Sequence, residues 1–380
     1  MTMMTMMSLM TNLRSTNRLI VLILLIASHI VVGYSSFSYH TPLAAPPSPR
    51  TSDTLTIAMT GDIMMGTTWP DTLLPYADGA YLFRDTKTLL RRADLTVGNL
   101  EGTLAYGGES TKDGPNQYAF RTPPHYAGWL ADAGYDFMSM ANNHANDFGI
   151  EGIEETERAL DSCGIKYAGL EGRTETAVIE RKGLRIGLCA FGHNPYTLRH
   201  TEKELKTVGR IIDDLVRQTD IVVVSIHGGA EGGKYSHLPD SMETFFTEKR
   251  GHLRHLAHFC IDHGADVVYG HGPHVVRAVE SYRGRFIAYS LGNFCTPYRV
   301  SLKGVSGYAP LIEIKIDSQG RFLKGQIYSF IQQYGRGPRW SKKKPNAVAQ
   351  RIKWLTEADI PDSHIRIDSK GTLNVETTKN

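Results

Sequence analysis

Short apolar runs recur along this chain, and each breaks off at small or polar residues. "LTIAMTG" from Leu55, "LTVGN" from Leu95, "FMSMA" from Phe137 and "RIGLCAF" from Arg185 read as strands. So do "IVVVSI" from Ile221, "DVVYG" from Asp266 and "FIAYSLG" from Phe286. Between them lie stretches with helical spacing, near Tyr81–Ala93, Pro123–Ala133, Glu151–Cys163, Glu202–Gln218 and Ser241–His263. This alternation predicts an α/β fold with mostly parallel or mixed sheets. "PLIEIKI" from Pro310 and "LKGQIYSF" from Leu323 predict a closing antiparallel pair. After Gln333 the chain turns basic and polar, which predicts a peripheral extension with one helix around Ala347–Thr356.

The first residues follow another pattern. Arg14 and Arg18 precede "LIVLILLIASHIVVGY", Leu19–Tyr34, apolar except for Ser28 and His29. Basic residues ahead of such a run predict a signal anchor, with the downstream chain exported. "PLAA", Pro42–Ala45, offers a cleavage site for the alternative, a cleaved and exported form. Residues Phe37–Asp53, rich in Ser, Thr and Pro, cannot bury apolar surface and read as a linker. The run "MTMMTMM" is a tail.

Polar residues gather where the strands end. Asp62 follows the first run; Asn99 and Glu101 follow the second. Asn142, Asn143, His144 and Asp147 follow "FMSMA", and His227 and Glu231 follow "IVVVSI". His271 and His274 follow "DVVYG", and Asn293 follows "FIAYSL". Parallel strands deliver the loops after them to one edge, so these clusters are expected to converge on a shared site. Carboxylates, an amide oxygen and imidazoles without thiolates suit Mn, Fe or Zn better than Ca or Cu(I). A pair of such ions clamps a phosphoryl group and activates water. Asp147 alone also fits a helix N-cap. His252, His255 and His258, on one helix without a nearby acidic partner in sequence, read as surface or packing residues.

Composition changes this picture little. The 380 residues are 41% hydrophobic and 21% charged, a globular balance. The net charge of +3 gives no reason to expect nucleic acid. Four cysteines, Cys163, Cys189, Cys260 and Cys295, show no CxxC spacing and are expected as free thiols.

The motifs "GDIMMG", "NLEGTL", "YAFRTPP", "ANNHANDFG", "GIEETERALDSCGIKYAG", "GADVVYGHGPHV" and "YSLGNF" run in order from Thr54 to Phe294. As a set they resemble the capsule-synthesis CapA family, the poly-γ-glutamate biosynthesis proteins. The resemblance implies a four-layer α/β/β/α sandwich of metallophosphoesterase-like, calcineurin-like type. It implies Asp62, Glu101, Asn143, His227, His271 and His274 as ligands of one or more divalent ions, Mn, Fe or Zn. It implies His144 as general acid or as the group that stabilises developing negative charge, with Asp147 and Glu231 completing the catalytic set. The Asp-x-His of phosphoesterases reads Asp62-x-Met64 here, which weakens one metal position. Gly228, Gly232 and Gly272 stand in the segments where relatives carry an aromatic residue and a second histidine.

The expected layout is a cytoplasmic N-terminus (1–18), an anchor (19–34), a linker (35–53), a CapA-like domain (54–330) and a basic extension (331–380). The protein is then a single-pass membrane protein with its domain extracytoplasmic. The resemblance, with the anchor, implies a part in making, exporting or anchoring poly-γ-glutamate or a related anionic polymer, in contact with a capsule synthetase complex, and nucleic acid is not expected. Two alternatives stay open. One is a metal-dependent phosphoesterase or hydrolase of another substrate. The other is a non-enzymatic export factor whose basic tail, Arg336, Arg339, Lys342, Lys343 and Lys344, holds the polyanion.

Overall fold

The computed structural model describes residues 54–112, 114, 118–342 and 344–376. The expected anchor, the linker and Lys343 lie outside them. Among the described residues no helix is long and apolar enough to cross a membrane.

The elements alternate as the apolar runs predict. Along the chain come β1 (Thr54–Ile63), α1 (Lys87–Arg92), β2 (Leu95–Leu100), β3 (Thr103–Leu104), β4 (Arg121–Thr122), α2 (Ala127–Ala133), β5 (Phe137–Ser139), α3 (Gly149–Ser162) and β6 (Lys166–Ala168). There follow β7 (Thr176–Arg181), β8 (Leu184–Phe191), α4 (Leu205–Val216), β9 (Ile221–His227), β10 (Glu243–Phe245), β11 (Glu248–Gly251), α5 (Leu253–Asp262) and β12 (Val267–His271). Last are β13 (Val279–Tyr282), β14 (Arg285–Ala288), β15 (Asn293–Cys295), β16 (Tyr308–Asp317), β17 (Phe322–Ile331), β18 (Arg339–Trp340), α6 (Ala347–Asp359), β19 (Ile365–Ile367) and β20 (Thr372–Val375).

Two sheets carry the fold. The first runs β19-β20-β17-β16-β1-β2-β5-β6, with β15 also on β1 and β18 on β17. The second runs β13-β14-β12-β9-β8-β7. Strands β1, β2, β5 and β6 are mutually parallel, as are β8, β9, β12 and β14. The closing pair β16/β17 is antiparallel, as expected.

Successive strand residues face opposite sides, so one strand serves two cores. Leu55, Ile57 and Met59 of β1 pack with Leu188, Val223, Val267 and Phe286 in the core between the sheets. Ala58, from the other side of β1, shares an outer core with Leu90 of α1, Leu130 of α2 and Leu160 of α3. Beyond the second sheet, Val222, Val224 and Val268 meet Ile212 of α4 and Leu256 of α5. The layers are therefore helix, sheet, sheet, helix. All four cysteines are free, three of them buried.

Two expectations need correction. The segment after Gln333 is not peripheral. Val348, Ala349, Ile352 and Leu355 put the apolar stripe of α6 into the inter-sheet core, and β19 and β20 extend the first sheet. Basic residues mask that stripe in the sequence. Arg339 is likewise tied to the backbone of Tyr81 and Leu82, while Arg336, Lys342 and Lys344 are exposed. Nor is Ser241–His263 one helix. Thr244 and Phe245 favour extended backbone, and Phe246 turns the chain in the left-handed region (φ 51°), so a β10/β11 hairpin precedes α5. His252 and His258 find acidic partners after all, Asp240 and Glu280, each at 2.9 Å.

The hairpin is held by a buried ion pair. Arg277 is fully buried and donates through Nη1 and Nη2 to both carboxylate oxygens of Glu243 at 2.7 Å. Its Nε donates to Tyr235 O at 3.0 Å. Glu243 also accepts from Ala230 N at 3.0 Å. One guanidinium thus joins β10, the loop after β9 and the turn after β12.

Candidate metal centre

Register decides which strand ends meet. In the first sheet Asp62 stands beside Asn99 on one neighbour and Asn293 on the other, both parallel. In the second, His271 stands beside His227. The carboxyl ends of the two stacked sheets come together at one rim, and Asp62 is where they touch. Its Oδ1 lies 3.1 Å from His271 Nδ1 and its Oδ2 lies 3.0 Å from His274 Nδ1. Asn99 Nδ2 donates to Oδ1 at 3.0 Å, and Asn142 Nδ2 donates to Asn99 Oδ1 at 3.0 Å. Glu101 closes the other side, its Oε1 3.3 Å from His227 Nε2 and 3.6 Å from His274 Nε2. Ligand atoms of Asp62, Glu101 and His274 all lie within 4.8 Å of one another.

Buried polar atoms nearly always find a hydrogen-bond partner. In this cluster several do not: Glu101 Oε2, His227 Nδ1 and His271 Nε2 are buried and unpartnered, as is Oδ1 of Asn143, the residue after Asn142. Two carboxylates and uncommitted imidazole nitrogens, with no thiolate, form a donor set that fits a divalent ion such as Mn, Fe or Zn. The residues present therefore fit the cofactor expected from the sequence.

Electrostatics point the same way. Burial works against the charge of Asp62, yet the hydrogen bonds from His271 and His274 outweigh it and hold the carboxyl well below its usual range. Burial, then the charge of Asp62, pushes Glu101 well above its own. Burial disfavours the imidazolium of His274, but the charges of Glu101 and Asp62 prevail and lift it to about 10. His227, buried and next to His193, is held well below its ordinary value.

The signs give a pH prediction. His274 has a raised folded value, so in the metal-free protein its imidazolium contributes stability that is complete below about 6.5 and fades as pH rises through about 10. Glu101, also raised, loses its contribution as pH rises above its ordinary range. Both must shed protons to act as ligands. Mn²⁺ affinity is therefore expected to rise about tenfold per pH unit for each proton displaced, from about pH 7 to about pH 9. Isothermal titration in two buffers of different ionisation enthalpy measures this. A flat profile with no proton release counts against His274 as a ligand.

The remaining candidates take different places. His144 is buried, and its Nδ1 lies 2.9 Å from Asp147 Oδ2. Its backbone N donates to Asn142 Oδ1 at 2.9 Å, which ties it to the amide chain ending at Asp62. Asp147 is no helix cap. It sits behind His144, accepts from Phe120 N at 2.6 Å and pairs with Lys112 at 2.7 Å. It is a positioning residue. Glu231 pairs with Arg250 Nη1 at 2.9 Å and touches none of the cluster's side chains, though its charge still acts on Glu101 and His274.

Sequence reasoning passes over four neighbours. Lys112 Nζ lies 3.1 Å from His144 Nδ1 and donates to Tyr118 O at 3.0 Å. Nothing in its glycine-rich loop marks it. Burial and Lys112 lower His144 below its ordinary value against the pull of Asp147. His193 stacks on His227, and His200 Nε2 lies 2.9 Å from His227 O. His193 follows a strand as the other candidates do, so the same rule finds it. Arg250 bridges Glu231 and Glu248 from the hairpin, where the sequence pattern predicts helix.

Comparison with known proteins adds the following. The family model described as bacterial capsule synthesis protein PGA_cap matches residues 56–298, more than half of the chain. The chain is 28% identical over 255 residues to the PGA biosynthesis protein CapA of Bacillus subtilis (strain 168), covering 64% of this chain and 63% of that one. It is 26% identical over 282 residues to the capsule biosynthesis protein CapA of Bacillus anthracis, covering 70% and 65%. A probable polyglutamine synthesis accessory protein of Mycobacterium tuberculosis is 26% identical, covering 62% and 61%. The chain thus spans a little under two thirds of the length of these relatives. Among solved structures, a 5′-nucleotidase precursor from Thermus thermophilus aligns with a TM-score of 0.41 at 12% identity, covering 73% of this chain and 54% of that one.

Proposed function

The chain belongs to the bacterial capsule synthesis protein family PGA_cap, and from that premise we propose that it is an accessory protein of poly-γ-glutamate capsule synthesis with a metal-dependent hydrolytic or transfer site. The observation that carries the site reading is the group of buried, unpartnered atoms surrounding Asp62, Glu101 and His274. Asp62, Glu101 and His274 would hold a divalent ion, with His227, His271 and Asn143 completing its shell. Such an ion supplies Lewis-acid polarisation and lowers the pKa of bound water. The residues supply the rest.

Asn99 and Asn142 hold Asp62 in place through a relay of amide hydrogen bonds. Lys112 donating to Nδ1 of His144 puts the ring proton on Nε2, the atom that then transfers it to a leaving oxygen or nitrogen, while Asp147 lies behind the same Nδ1 and takes over as partner when Nδ1 is protonated. Met64, buried where phosphoesterases place a histidine, favours one ion over two. The polymer, the synthetase complex and tethering outside the cytoplasmic membrane through Leu19–Tyr34 belong to the same proposal. Among the described residues of the basic tail, Arg336, Lys342 and Lys344 are exposed and would offer their charge to an anionic polymer.

Metal analysis of the purified protein, with hydrolysis of p-nitrophenyl phosphate and of a γ-glutamyl anilide, tests the reading. We expect bound Mn, Fe or Zn and turnover of one substrate. His144→Ala is expected to lower that turnover at least about a hundredfold. A protein that takes up no metal and whose traces of activity survive His144→Ala is not this hydrolase.

A further inference from the structure

We propose that Asn293 is a further oxygen ligand of the same cation; this rests on the metal-site reading above and adds a residue to it. The chain leaves the second sheet at Ala288, the end of β14, and enters the first at Asn293, the start of β15. The crossing is narrow. A Cβ on Gly61 would stand 1.9 Å from Gly292 O, and one on Gly270 would stand 2.2 Å from Tyr289 O. Hydrogen bonds pin the crossing to both sheets, Asp62 N to Gly292 O at 2.8 Å and Leu291 N to Gly270 O at 3.0 Å. Asn293 is thereby locked in parallel register beside Asp62, opposite Asn99. Register partners on neighbouring strands send their side chains to the same face. Asn99, Asp62 and Asn293 therefore form one row.

The two asparagines in that row are not equivalent. Asn99 is satisfied at both ends of its amide, by Asp62 and Asn142. Asn293 donates through Nδ2 to two carbonyls, His274 O and Ser306 O, each at 3.1 Å. A carbonyl only accepts, so these contacts fix which way the amide points. Its Oδ1 is then left buried with no donor, in a residue that is fully buried. The adjacent Asp62 carboxylate supplies no proton, and the Nδ1 of His274 is taken by Asp62. A neutral amide oxygen with a fixed direction and no partner, in line with the central carboxylate, matches a hard divalent cation.

The test is Mn²⁺ binding, read by isothermal titration and by the anomalous signal of Mn²⁺-soaked crystals. Asn293→Leu keeps the approximate shape and removes the oxygen. It is expected to weaken Mn²⁺ binding by at least about tenfold, and wild-type crystals are expected to place the ion about 2.0–2.6 Å from Asn293 Oδ1. The crystallographic distance decides even where the leucine variant does not fold. An ion more than about 3.5 Å from Oδ1, or a folded variant with the wild-type dissociation constant, overturns the role of Asn293 and leaves the site reading standing. A wild-type protein that binds no Mn²⁺ overturns the reading beneath it.

Discussion

Asp62→Asn is expected to weaken Mn²⁺ binding by more than about a hundredfold while the chain still folds. Residues that only orient a ligand cost about 10–100-fold, so a loss beyond that range marks a ligand itself. Asp62 is fully buried between the two sheets and meets His271, His274 and Asn99 at 3.0–3.1 Å. The amide has nearly the same shape but lacks the charge that neutralises a cation. It also turns an NH₂ toward one imidazole that now faces an acceptor. Titration at about pH 8, where more His274 has shed its proton, with thermal unfolding as the fold control, reads the outcome. A loss of tenfold or less makes Asp62 a supporting residue and moves the centre of the site elsewhere.

Glu243→Gln is expected to destabilise the protein by about 3–5 kcal/mol, because it strands a buried guanidinium. Arg277 has no exposed surface, and both terminal nitrogens rest on Glu243. Removing one partner of a buried pair is far more costly than replacing both, since an unpaired buried charge remains. The double variant Glu243→Leu with Arg277→Leu should therefore recover most of the loss. Chemical denaturation of the single and double variants measures the coupling. A single variant within about 1 kcal/mol of wild type means that water reaches the arginine and the pair is no structural tie. The same pair joins the loop carrying Glu231 to the hairpin carrying Arg250. The variant should loosen that rim while leaving the Asp62–His271 contact in place.

Much of this is legible before any coordinates. The apolar runs from Leu55, Leu95, Ile221 and Asp266 are strands of the two parallel sets, and polar residues placed just past them meet at one edge. Backbone geometry makes that inference strong, because a parallel strand must release its chain at the same edge as its neighbours. The C-terminal helix is also legible as a helix, but its burial is not. Its four core residues are interleaved with charges, which hide the apolar stripe that packs into the inter-sheet core. The hairpin at Glu243 reads as helix because the helical pattern of α5 extends backwards into it, and the contact that ties it down, Arg277 on Glu243, joins residues 34 positions apart.

Composition and motif order by themselves determined the α/β class, the family and the residues competent to bind a metal, since strand periodicity and side-chain chemistry are local properties. Which of those residues touch was decided by the packing of two sheets face to face, which brings their carboxyl ends to one rim. Asp62 and His274 are 212 positions apart, and no local pattern encodes a 3.0 Å contact over that separation. Lys112 on His144, the direction of the Asn293 amide and the placing of Asp147 behind the imidazole likewise depend on register and loop path. Those are fixed only when the whole core closes.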